Sequence, residues 1–222
     1  ILATTDKSED DELAKLAKEF EIDCYRGDEN DVLARYYYAA KENGCSEEDG
    51  IIRITGDCPM MDPSLIDEIV EYYCSQDLDY VSNKAPATYP DGLDVEIFNF
   101  GVLEKIFYEA TAPSQREHVT LYIRETADFK QQNYTYKTDF SHLRFTVDEK
   151  EDFEFVKKVF MRLCKTNPNF SWLDVVALLT KEPQILELNQ DIIRDEGLIK
   201  SLKSEGRLKS FKEVNTSDAS SS

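Results

Sequence analysis

The run I-I-R-I-T-G-D-C-P at residues 51–59 decides the fold. Its isoleucines predict a short buried strand, and the strand ends at Gly56. Asp57 follows directly, and a proline two residues later prevents the strand from continuing. Asp62 and Pro63 then begin a helix, as its N-cap and its first helical residue. A strand, a tight turn and a helix in this order are typical of an α/β protein.

The turn after this strand is a candidate binding site. In an open parallel sheet, ligands bind in the crevice beyond the carboxyl ends of the strands. Asp57 is therefore a candidate ligand for a metal or for a metal-bound phosphate, and Gly56 lets a ligand approach the backbone closely. The alternative is a simple strand-ending turn in which Asp57 accepts hydrogen bonds from nearby amides.

Composition excludes several classes of function. The 222 residues suffice for one sizeable α/β domain, and 41% hydrophobic residues predict a real core. The net charge of -19 opposes nucleic-acid binding, which depends on neutralising phosphates. An anionic substrate would have to arrive with a divalent cation or meet a local cluster of Arg and Lys.

Neither a membrane protein nor a secreted one is predicted. No apolar run reaches the roughly 20 residues that span a bilayer, and no signal peptide is visible. The five cysteines are an odd number without C-x-x-C spacing, so we expect reduced thiols in a cytoplasmic protein.

Strands and helices are expected to alternate along the first part of the chain. We predict strands at 1–5, 22–25, 51–55 and 80–82, with helices at about 8–20, 30–41 and 63–74 between them. Further on we predict helices at about 100–110, 114–126 and 149–165, strands at 133–137 and 143–147, and a helical end from 171. Such alternation indicates right-handed βαβ units and a mostly parallel sheet.

Residues 93–98 alternate strictly between apolar and acidic, so Asp94 and Glu96 share one face of a strand. Two interpretations stay open. This face is either the solvated side of an edge strand or a pair of carboxylates that grip substrate hydroxyls beside the Pro- and Gly-containing loop 84–92.

A second apolar strand also stops on a carboxylate, at Asp148. Asp57 and Asp148 are about ninety residues apart, but they meet if their strands are neighbours. Two carboxylates make a Mg²⁺ site whose other positions go to water and substrate phosphate. The competing D-x-D pair, Asp77 and Asp79, precedes its strand, and we interpret it as loop polarity. His118, taken alone, is more often a structural residue than a catalytic one.

Five motifs together resemble one family. They are R-G-D-E-N-D-V-L-A-R at 26–35, the stretch 53–63, Y-P-D-G-L-D-V-E at 89–96, R-E-H-V-T at 116–120 and F-T-V-D at 145–148. Over nearly the whole chain the sequence resembles the SpsF-type cytidylyltransferases of spore coat polysaccharide biosynthesis, relatives of CMP-Kdo synthetase and CMP-sialic acid synthetase. The resemblance implies an α/β, Rossmann-like (GT-A-like) nucleotidyltransferase fold of three layers, with a mostly parallel mixed sheet and a helical C-terminal segment.

The resemblance also implies a reaction and its residues. CTP and an acidic sugar would give a CMP-sugar and pyrophosphate, for surface polysaccharide or glycan biosynthesis, with Mg²⁺ as cofactor. The implied metal-binding and catalytic residues are Asp57 and Asp148. The implied nucleotide-binding residues are Arg53, Gly56, Asp31 and Arg35, with Asp31 and Arg35 as binding or supporting groups. The implied substrate-binding residues are Asn83, Asp91, Asp94, Glu96, Glu117 and His118. A cytoplasmic enzyme, either alone or as a homodimer, fits this picture.

One departure from the family affects the expected activity. Family members open with a strand and a basic Gly-rich loop that cradles the triphosphate, whereas this sequence begins where the next strand is under way. Either the sequence is part of a longer chain or the protein lacks the loop. In both cases we expect the nucleotidyltransferase domain at 1–182 to be without it and these 222 residues alone to transfer poorly. A helical extension at 183–214 and a disordered tail at 215–222 are expected to follow.

Two other classes of function stay open as hypotheses. One is a GT-A-type glycosyltransferase that uses Asp77 and Asp79. The other is a degenerate, non-catalytic relative retained to bind a partner.

Overall fold

A computed structural model describes residues 1–208, which form the predicted α/β protein. The strands are β1 (Leu2–Thr5), β2 (Cys24–Gly27), β3 (Gly50–Arg53), β4 (Tyr80–Ser82), β5 (Glu96–Asn99) and β6 (Gln131–Asn133). The helices are α1 (Asp11–Glu19), α2 (Val32–Glu42), α3 (Pro63–Ser75), α4 (Phe100–Glu109), α5 (Pro113–Glu117), α6 (Leu121–Glu125), α7 (Lys150–Leu163), α8 (Trp172–Lys181) and α9 (Glu196–Ser204). Two 3₁₀ helices span Ser8–Asp10 and Pro183–Leu188. The predicted tail at 215–222 lies outside the described residues.

The chain divides into two compact units. The first comprises residues 1–51 and 98–131 and resumes at residue 195. The second comprises residues 52–97 and 132–194. The division expected at 182/183 stays a prediction.

The strands of the described chain form two sheets. β1 and β2 pair in parallel, with Leu2 opposite Cys24. The other four strands lie in the order β3-β5-β4-β6. Ile52 and Ile54 are 43% and 44% exposed, so the prediction of a buried strand was wrong.

The second unit has a large apolar core. Side chains of α3, α7 and α8 pack on residues of β4 and of the segments 89–97 and 143–145. Asp62 begins α3 as predicted, since its carboxylate accepts the backbone N–H of Ser64 at 2.9 Å, with Pro63 in the first turn. The same carboxylate accepts the N–H of Trp172 at 3.0 Å and so ties the start of α8 to the start of α3.

The first unit buries aromatic rings between α2 and α4. Tyr37 of α2 stacks on Phe107 with ring centroids 4.0 Å apart and on Phe100 at 5.7 Å. Asp31 caps α2 by accepting the N–H of Ala34 at 3.0 Å. In α1 only an alanine is buried, and Phe20 just after it is 72% exposed.

Three predicted elements were wrong in part. The single helix expected at 114–126 is split into α5 and α6, because Val119 has a φ of +50° that a right-handed helix does not allow. The strand expected at 143–147 is reduced to one parallel bridge between Arg144 and Asp91. β6 lies at 131–133 rather than at 133–137. Within residues 1–208, no helix is long and apolar enough to cross a bilayer.

Candidate active site

The backbone of the second unit brings three of the motifs together. The N–H of Val147 donates to the carbonyl of Asp57 at 2.8 Å, which places the main chain of Asp148 next to that of Asp57. On the same segment, the N–H of Phe145 donates to the carbonyl of Asp91 at 2.6 Å, and the N–H of Asp91 donates to Leu143 at 2.9 Å. The ends of the two predicted strands and the loop before β5 therefore share one region.

Gly92 permits this approach. Its φ is +95°, a conformation that side chains with a Cβ rarely adopt. A Cβ at this position would lie 2.5 Å from the backbone nitrogen of Thr146 and 2.7 Å from the carbonyl carbon of Phe145. The Pro-Asp-Gly turn can touch the 144–147 segment only because residue 92 is glycine.

Asp57 and Asp148 supply the type of oxygen ligand that a small hard cation prefers. Both are exposed, so water and a phosphate can reach them, and the Asp148 side chain is 55% exposed. Oδ2 of Asp148 accepts a hydrogen bond from Arg144 at 2.6 Å, which leaves Oδ1 for another ligand. The described residues contain no group of three or more His, Cys, Asp or Glu arranged to hold a metal. A pair of carboxylates completed by water and phosphate is the ligand set Mg²⁺ commonly takes.

Arg144 binds three carboxylates at once. Nε and one terminal nitrogen contact the two oxygens of Asp152, both at 2.9 Å, and the other terminal nitrogen contacts Asp91 at 2.9 Å. The third carboxylate is Asp148. Burial alone lowers the pKa of Arg144, but the hydrogen bonds to Asp152 and Asp148 outweigh it, so the pKa lies above its ordinary value and the guanidinium stays charged.

Asp152 is fully buried behind this guanidinium. Its carboxylate accepts the N–H groups of Asp148 and Glu149 at 3.1 and 3.0 Å, and the side-chain amide of Asn189 at 2.9 Å. Burial raises the pKa of Asp152, but the hydrogen bonds from Arg144 and Asn189 lower it by more. The pKa therefore lies below its ordinary value. Asp152 therefore does more than cap α7, because it also carries a buried negative charge opposite Arg144.

The carboxylates of Asp94 and Glu96 are paired with cations and not solvated. Asp94 contacts Arg194 at 2.6 Å and Lys84 at 3.2 Å. Glu96 forms an ion pair with Arg53 and accepts a hydrogen bond from the hydroxyl of Tyr80. Glu96 is buried in β5, which lies inside the strand order, and Asp94 lies before β5 with a side chain that is 13% exposed, so the solvated-edge interpretation does not hold.

Asn83 and Gly56 flank this region in different ways. The buried Asn83 donates to the carbonyl of Leu93 at 2.7 Å and accepts the N–H of Val95 at 2.8 Å, so it fixes the loop before β5. Gly56 is exposed, and a Cβ there would meet no atom within 4 Å. The protein's own packing therefore does not require glycine at position 56.

Four predicted site residues lie in the first unit. Asp31 forms a two-bond pair with Arg116, at 2.9 and 2.6 Å, in addition to capping α2. Arg35 donates to the carbonyl of Glu29 at 3.3 Å. Glu117 and His118 both contact the hydroxyl of Ser201 on α9, at 2.8 and 3.2 Å. These contacts give Asp31, Glu117 and His118 structural partners within their own unit.

Cys58, next to Asp57, is not a candidate nucleophile. Burial and the nearby charge of Asp57 raise the pKa of its thiol to about 12. The reactive thiolate is therefore scarce at neutral pH.

Sequence reasoning missed the basic partners of the predicted carboxylates. Arg144 is a single cation inside an apolar run, L-R-F-T-V. A buried charge needs a counter-ion, so this pattern could have indicated that Arg144 pairs with a carboxylate. Arg194 and Asn189 lie in a polar stretch with no such contrast. Nothing in the local sequence distinguishes them from solvated residues.

Comparisons with known proteins show the family of the chain. Residues 1–197 match the family model described as cytidylyltransferase. An uncharacterized protein of Methanocaldococcus jannaschii is 36% identical over 197 residues, covering 86% of this chain and 77% of that protein. The spore coat polysaccharide biosynthesis protein SpsF of Bacillus subtilis is 32% identical over 189 residues, covering 82% of this chain and 75% of SpsF.

A solved structure is also similar. The cytidylyltransferase of Leptospira borgpetersenii matches with a TM-score of 0.78 and 32% identity, over 86% of this chain and 79% of that one. Its fold is the Rossmann-like fold expected from the sequence, and the likeness supports a nucleotidyltransferase enzyme. With the family model covering most of its length, the chain belongs to the cytidylyltransferase family.

Proposed function

We propose that this protein transfers CMP from CTP to a hydroxyl of an acidic sugar and releases pyrophosphate, with one Mg²⁺ held by Asp57 and Asp148. The observation that carries the proposal is the hydrogen bond from the N–H of Val147 to the carbonyl of Asp57, which places the main chains of the exposed residues Asp57 and Asp148 next to each other. SpsF, a relative at 32% identity, is named for polysaccharide biosynthesis, which supports a sugar as the acceptor.

The chain's part in the reaction is to position its substrates. The sugar hydroxyl attacks the α-phosphorus in line with the departing pyrophosphate, so orientation and charge neutralisation supply most of the rate. Mg²⁺, when bound, neutralises phosphate charge and lowers the pKa of a coordinated hydroxyl. No step in this account needs a nucleophilic side chain.

Arg53 and Gly56 are assigned to the nucleotide. Arg53 is held by Glu96, which is itself held by Tyr80, so the guanidinium has a fixed place at the end of β3. The open space at Gly56 suits a close approach by a phosphate or a ribose. Asp31, the N-cap of α2, and Arg35, within α2, remain proposed nucleotide-binding groups, Asp31 as a supporting group.

Asp91 and Asp94 are assigned to the sugar hydroxyls. Each carboxylate is oriented by a guanidinium, Asp91 by Arg144 and Asp94 by Arg194, and retains acceptor capacity for a hydroxyl. Asn83 holds the same loop through its hydrogen bonds to Leu93 and Val95. Glu96 is proposed to position Arg53 through their ion pair. Glu117 and His118 remain proposed substrate contacts.

A coupled assay of pyrophosphate release tests the proposal. The full-length protein is incubated with Mg²⁺, each of the four common ribonucleoside triphosphates and a panel of eight- and nine-carbon 2-keto acidic sugars, with neutral hexoses as controls. We expect release only with CTP and an acidic sugar, and a product with the mass of the CMP-sugar. Equal turnover with neutral sugars would contradict the acidic substrate, and no release with any pair would contradict the reaction.

A further inference from the structure

One guanidinium joins the proposed metal site to the proposed sugar site. Arg144 contacts Asp148, a proposed metal ligand, at 2.6 Å, and Asp91, a proposed sugar contact, at 2.9 Å. These two carboxylates belong to different stretches of chain, 53 residues from Arg144 in one case and four in the other. Backbone hydrogen bonds already bring Asp91 close to residues 143–145, and Arg144 adds a direct link between the side chains of Asp91 and Asp148.

Asp152 and Asn189 hold Arg144 in place. Asp152 takes it with both oxygens at 2.9 Å, and Asp152 is fully buried and fixed by two backbone N–H groups. Asn189 closes this support by donating to Asp152 at 2.9 Å and to the carbonyl of Arg144 at 3.1 Å. A planar fork held in this way has little freedom to rotate.

The contacts of Arg144 with Asp148 and with Asp91 differ in what they restrain. Asp148 is more than half exposed, and an exposed carboxylate is otherwise free to change its rotamer. The bond to Oδ2 restrains that rotamer, and Oδ1 takes no part in it. Asp91 is mostly buried, and its bond instead fixes the turn that begins at Pro90.

We propose that Arg144 is a positioning residue of this enzyme, holding Asp148 as a metal ligand and Asp91 as a sugar contact in one geometry. The inference rests on the proposed function. It assigns to Arg144, Asp152 and Asn189 a role in metal affinity and not only in stability.

The experiment measures Mn²⁺ binding to the full-length protein by electron paramagnetic resonance, first with Mn²⁺ alone and then with CTP added. Arg144→Lys keeps the positive charge and removes the fork, so any loss of affinity reports geometry and not charge. We expect about tenfold to a hundredfold weaker Mn²⁺ binding, the usual effect of losing a group that orients a ligand. Arg162→Lys, on the exposed face of α7 and paired with Glu182, is the matched control and should bind like the wild type.

A double-mutant cycle separates positioning from a general structural defect. If Arg144 acts through Asp148, Arg144→Lys has no further effect on Mn²⁺ affinity in an Asp148→Asn background. Additive losses, or wild-type affinity in Arg144→Lys, would overturn the inference while leaving the metal site intact. Absence of Mn²⁺ binding by the wild type under both conditions would instead overturn the proposed function.

A milder variant keeps the test usable if Arg144→Lys does not fold. Asn189→Ala loosens the support behind Asp152 without changing any charge. It should weaken Mn²⁺ binding several-fold, and again only when Asp148 is present. Unchanged affinity in a folded Asn189→Ala protein would count against the proposed network.

Discussion

At the scale of single residues, Asn83 is the simplest place to test how the site loop is held. Its amide bonds both the carbonyl of Leu93 and the N–H of Val95 in the buried interior. Asn83→Ala leaves these two backbone groups without partners, so we expect a loss of about 2 kcal/mol in the free energy of unfolding. Urea denaturation measures it, with the exposed Asn169→Ala as control, and equal stability of the two variants would contradict the assigned role.

Asp152 should make stability depend on pH. Its pKa in the folded protein is below the ordinary 3.8, so the stabilisation is fully present above that value and is lost as the pH falls through the lower folded pKa. Asp152→Asn leaves Arg144 with an incomplete counter-charge, and we expect a cost of about 3 kcal/mol at neutral pH. In denaturation series from pH 7 to pH 3, the difference in free energy of unfolding between Asp152→Asn and the wild type should become smaller at the acid end. A difference in the free energy of unfolding that does not change with pH would contradict an ion pair between Asp152 and Arg144.

At the scale of elements, the turn before β5 depends on glycine. Gly92→Ala places a Cβ against the backbone of Thr146 and in an unfavourable φ, so we expect at least about 2 kcal/mol of destabilisation. Gly197→Ala in α9 is the matched control, since a Cβ there meets no atom within 4 Å and alanine favours a helix by up to about 1 kcal/mol. Thermal unfolding of both variants measures the loss of stability. Unchanged stability of Gly92→Ala would show that the close approach does not require glycine.

Elements with strong local signals were predictable. Asp62 with Pro63 marked the start of α3, and a 3.6-residue repeat of apolar side chains marked α7. The split between α5 and α6 was not predictable, because the residues around Val119 suit a helix and only tertiary packing holds its φ at +50°. The exposure of Ile52 and Ile54 was missed for a similar reason, since apolar residues alone do not show whether distant parts of the chain cover them.

The candidate site shows the same limit. Acidic residues at predicted strand ends give a candidate site from the sequence, because ligands of open α/β sheets bind beyond the carboxyl ends of the strands. Their partners were not predictable, because Arg144 lies 53 residues from Asp91 and Arg194 lies 100 residues from Asp94. Pairings at such distances depend on the folded chain.

At the scale of the whole molecule, charge decides how a nucleotide binds. The chain carries a net charge of -19, and the cations near the candidate site are engaged with carboxylates, as Arg53 is with Glu96 and Arg144 with Asp152. A triphosphate therefore needs a divalent cation to offset repulsion. We expect CTP binding, measured by calorimetry, to weaken at least about tenfold when EDTA replaces Mg²⁺. Equal affinity in EDTA would contradict the metal's part in binding.

The most direct test compares pyrophosphate release from CTP and the accepted sugar by the wild type, Asp57→Asn, Asp148→Asn and the exposed control Asp67→Asn on α3. If Asp57 and Asp148 hold one catalytic cation, each of the first two substitutions lowers turnover about a hundredfold or more while circular dichroism stays unchanged. The control should keep wild-type turnover. Near-normal turnover in either Asp57→Asn or Asp148→Asn would contradict the account.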